Sequence, residues 1–180
     1  MTDPIALAPQ RYDRTTVRLH WITAAIVVLL WLLGQTIDWF PRGDARVYAR
    51  STHIVLGAAL VVIVAWRIVW RATRGRRLPT AELGRLRAAA TVGHFLLYAL
   101  LVTTLLFGLT NVWTRGDNVF NLFRVPAFDP DNRALRSFVE DWHGNFADTL
   151  LILAGLHALA GLLHHYVLKD RVLGRMGPGG

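Results

Sequence analysis

Four long apolar blocks dominate this chain and leave few folds open to it. They run from about Val17 to Ile37, Ser51 to Trp70, Ala89 to Val112 and Phe138 to Leu168. Each reaches the roughly 20 residues that a helix needs to cross the hydrocarbon layer of a bilayer. Lipid offers no water to the peptide groups, so only helices and closed barrels cross it. Barrel strands are about ten residues long, so blocks of this length are helices. The pattern predicts an all-α integral membrane four-helix bundle over residues 17–168, with flanking segments at 1–16 and 169–180. The closing MGPGG reads as disordered. The opening MTDPIALAPQRYDR lacks the early apolar core and small-residue cleavage site of a signal peptide, so the first block is expected to stay as a span.

Loop charge sets the orientation. Arg11, Arg14, Arg18, Arg67, Arg71, Arg74, Arg76, Arg77, Arg85, Arg87, Lys169, Arg171 and Arg175 gather at one set of span ends. Arg42, Arg46, Arg50, Arg115, Arg124, Arg133 and Arg136 are left at the other. The richer side faces the cytoplasm, so the N and C termini are both expected to be cytoplasmic. Asp38, Asp44, Asp117, Asp129, Asp131, Glu140 and Asp141 all fall on the outer side. The net charge of +8 does not signal nucleic acid. The arginines flank apolar spans, where topology and membrane lipid headgroups account for them, and no nucleic-acid motif accompanies them. The absence of cysteine excludes disulfides, Fe–S clusters and thiolate ligands. The long loop 113–137, with Pro126, Pro130 and several aromatics, is expected to fold back over the outer mouth of the bundle.

Histidine is the second constraint. All seven histidines lie in or at the ends of the spans, and an ionisable residue there marks function by default. His143 and His157 are fourteen residues apart on the fourth span. That is close to four turns, so they share a face, separated by about 21 Å along the axis. Two sites stacked through the membrane would have this spacing. His53 matches His143 in depth near the outer face, and His20 matches His157 near the inner face. Two His–His pairs result, one per leaflet.

Haem answers this pattern best. Two axial histidines from different helices complete a six-coordinate iron, and the bundle core holds the macrocycle. Zinc wants about four ligands in tetrahedral array, and here the histidines come in pairs without Cys or paired carboxylates. Gly57, Gly93, Gly144, Gly155 and Gly161 lie within a few positions of these histidines and would let a flat ring or a helix approach. The bland reading of any single one of these histidines is a hydrogen bond between helices.

His94, His164 and His165 exceed two pairs. His94 and His164 are alternatives for a member of the inner pair. His164 and His165 suit a quinone head group or a haem propionate, or else snorkel at the interface. Arg67, in the inner half of its span, is read as snorkelling to the cytoplasmic interface, the functional alternative being a propionate partner. Arg42, Arg115 and Arg124, with Arg50 and Arg136, form a candidate cationic funnel for an anionic substrate; solvated loop charges are the alternative.

The chain resembles the bacterial cytochrome b561 family. The likeness covers nearly the whole length: RLHW at 18–21, STHIVLG at 51–57, GHFLLYALL at 93–101, TRG at 114–116, DWH at 141–143, AGLHALAGLLHHY at 154–166 and KD at 169–170. The resemblance implies four transmembrane helices in the bacterial inner membrane and two b-type haems. It places the axial ligands on His20, His53, His143 and His157. It is strongest to the superoxide oxidase type, which implies superoxide as donor at the periplasmic face and ubiquinone as acceptor, reduced near His164 or His165. The competing expectation is an electron-transfer subunit docked to a redox partner protein, a dehydrogenase or hydrogenase. A structural or lipid-binding protein without haem would leave the histidine spacing unexplained.

Overall fold

A computed structural model of the chain describes residues 11–76, 78, 84–169 and 172–177. Arg77 and Arg171, counted above toward the inner charge, Asp170 of the closing KD and most of the 1–16 segment lie outside these residues. Four helices span the fold: α1 (Arg14–Thr36), α2 (Asp44–Thr73), α3 (Gly84–Arg115) and α4 (Arg133–Leu163). All four are long and apolar enough to cross a membrane. They extend past the apolar blocks because polar residues cap and continue them. Asp13 caps α1, accepting from the Thr16 amide at 2.9 Å and the Thr16 hydroxyl at 2.7 Å. Asn132 caps α4 through the Leu135 amide. Such caps satisfy amides that have no partner within the helix.

The bundle is built from two antiparallel hairpins. α1 packs chiefly on α2, and α3 chiefly on α4, with sparser contact between the pairs. Where they meet, Leu30, Leu60, Val64, Leu101 and Leu150 form a small core drawn from all four helices. Leu150 stands seven residues from both His143 and His157, about 10 Å along the axis each way. The core therefore separates an outer from an inner level. Around it the bundle turns large side chains outward, such as Val62, Phe95, Ile152 and Leu159, each more than half exposed. Hydrocarbon is the solvent that such a surface requires. Inside, the hydroxyls of Thr23, Ser51 and Thr104 bond back to their own helix carbonyls, which lets small polar residues sit at packed positions.

The outer connections differ in size. A 3₁₀ turn (Ile37–Trp39) links α1 to α2, clamped by Arg46, which bonds the Asp38 and Phe40 carbonyls and pairs with the Asp38 carboxylate. Between α3 and α4 a small hairpin departs from the all-α expectation: β1 (Asn118–Val119) runs antiparallel to β2 (Phe123–Arg124). Phe120 and Asn121 turn it with positive φ, the backbone of a tight hairpin turn. The hairpin docks on the outer end of α2. The Phe120 amide donates to the fully buried Ser51 hydroxyl at 2.8 Å, and the Asn121 amide group donates to Asp44. Gly116 has φ of +64°, and a Cβ there would lie 2.9 Å from the Ala127 Cβ, so only glycine fits the exit of α3.

At the inner end, α4 passes into a π turn (His164–Leu168). Most of the closing MGPGG, expected to be disordered, lies outside the described residues. Leu173–Met176 forms a 3₁₀ turn; the Arg175 carbonyl accepts from the Tyr12 amide and the Met176 carbonyl from the Trp21 indole. The described segments nearest the two termini thus meet at one end of the bundle. Residues 178–180 lie outside the described residues.

Candidate functional site

At the outer level, His53 on α2 faces His143 on α4, with ring centroids 6.2 Å apart and planes 84° to each other. At the inner level, His20 on α1 faces His157 on α4 at 6.4 Å and 75°. A metal–imidazole bond is about 2 Å, and a ring nitrogen lies about 1 Å from its centroid, so two imidazoles across one metal hold their centroids about 6 Å apart. Both pairs have this separation.

The outer pair is set in a cradle. Nδ1 of His143 lies 3.1 Å from the Thr104 carbonyl. An N–H there donates to that carbonyl and leaves Nε2 with its lone pair, the usual support of a metal-bound histidine. Nδ1 of His53 is buried without a hydrogen-bond partner among the described residues. A Cβ on Gly108 would lie 3.0 Å from the His143 ring, and one on Gly34 would lie 3.4 Å from the His53 ring. A cavity of about 590 Å³ opens between the two hairpins here, lined by His53, His143, Gly57, Gly144, Leu60 and Leu150 among others. Cofactor pockets fall in this size range. The residues present fit a haem held by His53 and His143. Gly57, Gly93, Gly144 and Gly155 border open space, since a Cβ on any of them would meet nothing within 4 Å. The two glycines that touch imidazoles, Gly34 and Gly108, were not singled out from sequence.

The inner level is more polar. His94 packs edge-on against His157, centroids 5.2 Å apart, so three imidazoles meet. That separation is shorter than two rings across a metal require, and His20 with His157 fits better. Arg67 does not snorkel as expected. Its guanidinium donates to Nδ1 of His20 at 2.9 Å and lies 5.2 Å over the Tyr98 ring. The imidazole lone pair and the ring face offer it partners at its own depth. With Arg67 donating into Nδ1, a neutral His20 carries its proton on Nε2. For Nε2 to bind iron, Nδ1 must become the donor, so Arg67 has to release it. Among the described residues no group of three or more His, Cys, Asp or Glu is arranged to hold a bare metal ion.

His164 and His165 stand apart, in the π turn. The His164 amide donates to both the Ala160 and Gly161 carbonyls. The exposed His165 ring packs edge-on against Tyr166. π turns recur at functional positions.

Above the outer pair, Arg50, Arg115, Arg124 and Arg136 surround a second cavity of about 340 Å³ together with Asp117 and Glu140. Arg115 pairs with Glu140 at 2.7 Å and Asp117 at 3.6 Å, and Arg50 approaches Asp117 at 3.9 Å. Burial pushes the Asp117 carboxyl up, and the neighbouring Arg115 and Arg50 only partly offset this. Four arginines against two acids leave the cavity cationic. Arg50, Arg115, Asp117 and Glu140 also line the cavity that holds His53 and His143, so the cluster lies between that cavity and the outer one. Arg42 belongs to neither; it is exposed on the turn before α2.

One residue was passed over in the sequence. Asp148 lies within the fourth span, five residues beyond His143. Its Oδ1 accepts from the Trp31 indole at 2.7 Å and the Gln35 amide group at 3.1 Å. An acid inside a span is itself the signal.

Known proteins agree with this architecture. The sequence profile described as prokaryotic cytochrome b561 matches residues 11–179. A Yersinia pestis protein named probable superoxide oxidase CybB is 29% identical over 94% of this chain and 97% of its own length. Cytochrome b561 homolog 2 of Escherichia coli is 30% identical over 93% of this chain and 92% of its own. A Cereibacter sphaeroides protein named cytochrome b562 is 28% identical over 92% and 94%.

Proposed function

The chain belongs to the prokaryotic cytochrome b561 family of membrane electron-transfer proteins, and from that premise we propose that it is a superoxide:ubiquinone oxidoreductase with two b haems. The observation that carries the reading is the pair of imidazole couples, at 6.2 Å and 6.4 Å, stacked on either side of the central leucine core. His53 with His143, and His20 with His157, would hold the two haems in this reading. Haem held there would supply one-electron transfer.

The protein residues do the rest. Arg50, Arg115, Arg124 and Arg136 attract superoxide to the outer pair, with Arg42, exposed on the turn before α2, adding to the field from outside the cavity. Two superoxide anions each give up one electron and leave as dioxygen. One ubiquinone accepts the two electrons with two protons and leaves as ubiquinol. Arg67, released from His20, becomes free to neutralise a propionate. His164 and His165 stand at the inner end of α4, where an imidazole can hand a proton to the reduced quinone. The likeness to a relative named probable superoxide oxidase supports this donor.

A visible spectrum of the purified protein tests it. The expected result is an α band on reduction, two haems per chain, and reduction by superoxide with ubiquinol accumulating. Haem that superoxide cannot reduce would transfer the reading to a subunit docked on a dehydrogenase or hydrogenase. A colourless protein, expressed with haem supplied, would overturn both.

A further inference from the structure

Two charged side chains within the spans, Asp148 and Arg67, take no ion pair among the described residues. We propose that they set the two haem potentials apart, Asp148 lowering the outer and Arg67 raising the inner, so that an electron passes inward downhill. The inference rests on the two-haem reading of the histidine pairs and is independent of the electron donor.

Asp148 accepts at Oδ1 from the Trp31 indole and the Gln35 amide group. Both donors are neutral, so they fix the carboxylate without cancelling its charge. It lines the cavity that contains His53 and His143. Along α4 it stands five residues from His143 and nine from His157, about 7.5 Å against about 13.5 Å. Asp38, Asp117, Glu140 and Asp141 line the same cavity, with Arg50 and Arg115. These six stand outward of the imidazole pair. Asp117 and Glu140 are paired with Arg115, Asp38 with Arg46, and Asp141 is exposed. Pairing and water weaken their fields. Asp148 is the deepest charge of the cavity and is uncancelled.

Arg67 is the opposite case. It stands fourteen residues inward of His53 on α2, about 21 Å along the axis. Its guanidinium lies 2.9 Å from Nδ1 of His20 and 5.2 Å over the Tyr98 ring, and its Nε is buried without a hydrogen-bond partner. A lone pair and a ring face do not remove its charge. Released from Nδ1, it stays at the same depth on its own stem, and a propionate that it neutralises is one negative charge fewer at the inner level. A charge acts most on the nearest group, and more in an apolar interior than in water. Negative charge beside a redox centre favours loss of an electron, and positive charge favours its gain. The transfer balances as one electron lost at the outer level and one gained at the inner, with no bond or proton exchanged.

The test is a spectroelectrochemical titration of the haem-loaded full chain in phosphatidylcholine nanodiscs, followed at the α band. Two one-electron midpoints are expected, and His157→Ala, which keeps the outer pair, should show the lower one alone. Asp148→Asn keeps an oxygen for Trp31 and Gln35 but removes the charge. It should raise the lower midpoint by a tenfold change in the reduction equilibrium, about 59 mV, and leave the upper one in place. Arg67→Gln should lower the upper midpoint by a similar amount. Asp148→Glu and Arg67→Lys keep the charges and should stay near the parent values. Both shifts should persist at about 1 M salt, which screens exposed charges and spares buried ones. Midpoints that neither charge-removing variant moves, or shifts that the charge-keeping variants reproduce, would overturn the inference and leave both residues as ties between helices. Midpoints that move as stated in a protein whose haems superoxide cannot reduce support it and remove only the superoxide donor.

Discussion

The outer and inner levels carry the same couple of imidazoles in opposite surroundings. The outer rings are cradled by Gly34 and Gly108, tied to the Thr104 carbonyl and set beneath an arginine cluster. The inner rings share their space with a third imidazole, and one is held by Arg67 in a tautomer that must change before Nε2 can bind iron. In the proposed reading the outer level is preorganised for a haem and approached by charge, whereas the inner level would have to rearrange. That difference is what the proposed function asks for, with a small anion met on one side and protons supplied on the other.

Removing a ligand breaks the comparison most directly. His143→Ala and His157→Ala should each halve the haem content by pyridine haemochrome assay. The first should also abolish reduction by superoxide. The second should leave the outer haem reducible while ubiquinol formation falls by more than about a hundredfold. If either variant loses both haems, the two levels are not independent.

Glycine substitutions probe the cradle. Gly108→Ala places a methyl 3.0 Å from the His143 ring, and such overpacking costs about 1–3 kcal/mol. The outer haem should be retained less well on thermal challenge.

Charge comes next. Arg115→Gln should slow superoxide-driven haem reduction about tenfold at low salt, the gap closing above about 0.1 M as screening shortens. Arg42→Gln should have a smaller effect, and Arg74→Gln, at the other face, none. A deficit for Arg115→Gln that salt leaves unchanged would mean that Arg115 acts by contact rather than by field.

The smallest effect lies at the inner end. Burial raises the Asp13 carboxyl, but hydrogen bonds from Thr16, the Arg76 amide and the Trp70 indole outweigh it and hold it well below the usual carboxylate range. A carboxyl depressed by folding stabilises above its unfolded pKa of about 3.9, and the contribution is lost as pH falls below that value toward the folded one. Asp13→Asn should cost about 1 kcal/mol near neutral pH, as a lost cap does, and the difference from the parent should shrink in acid. Thermal melts from pH 7 to pH 3 check this.

Much of the fold was legible because lipid imposes simple rules. Block length predicts the four helices, and loop charge places the termini together; the Tyr12–Arg175 hydrogen bond meets that expectation. The site was less legible. The histidines announced themselves by their position in spans, but Gly34 and Gly108 look like any other span glycines until the rings they touch are known. Arg67 was misread because snorkelling assumes that the interface is the nearest partner, whereas His20 and Tyr98 come from other helices at the same depth. Asp148 was legible by rule, as an acid in a span, and its role depends on Trp31 and Gln35, more than a hundred residues away.

The sequence by itself determined that this chain crosses the membrane four times as helices and holds imidazoles at two depths, because hydropathy and helical rise are local and additive along the chain. Only the tertiary structure decided which groups face Nδ1 of His20 and His143, which arginines share the outer cavity and where Arg67 and Asp148 find their partners. Those outcomes depend on how two loosely joined hairpins pack, and packing angle and side-chain direction are not set by any one helix.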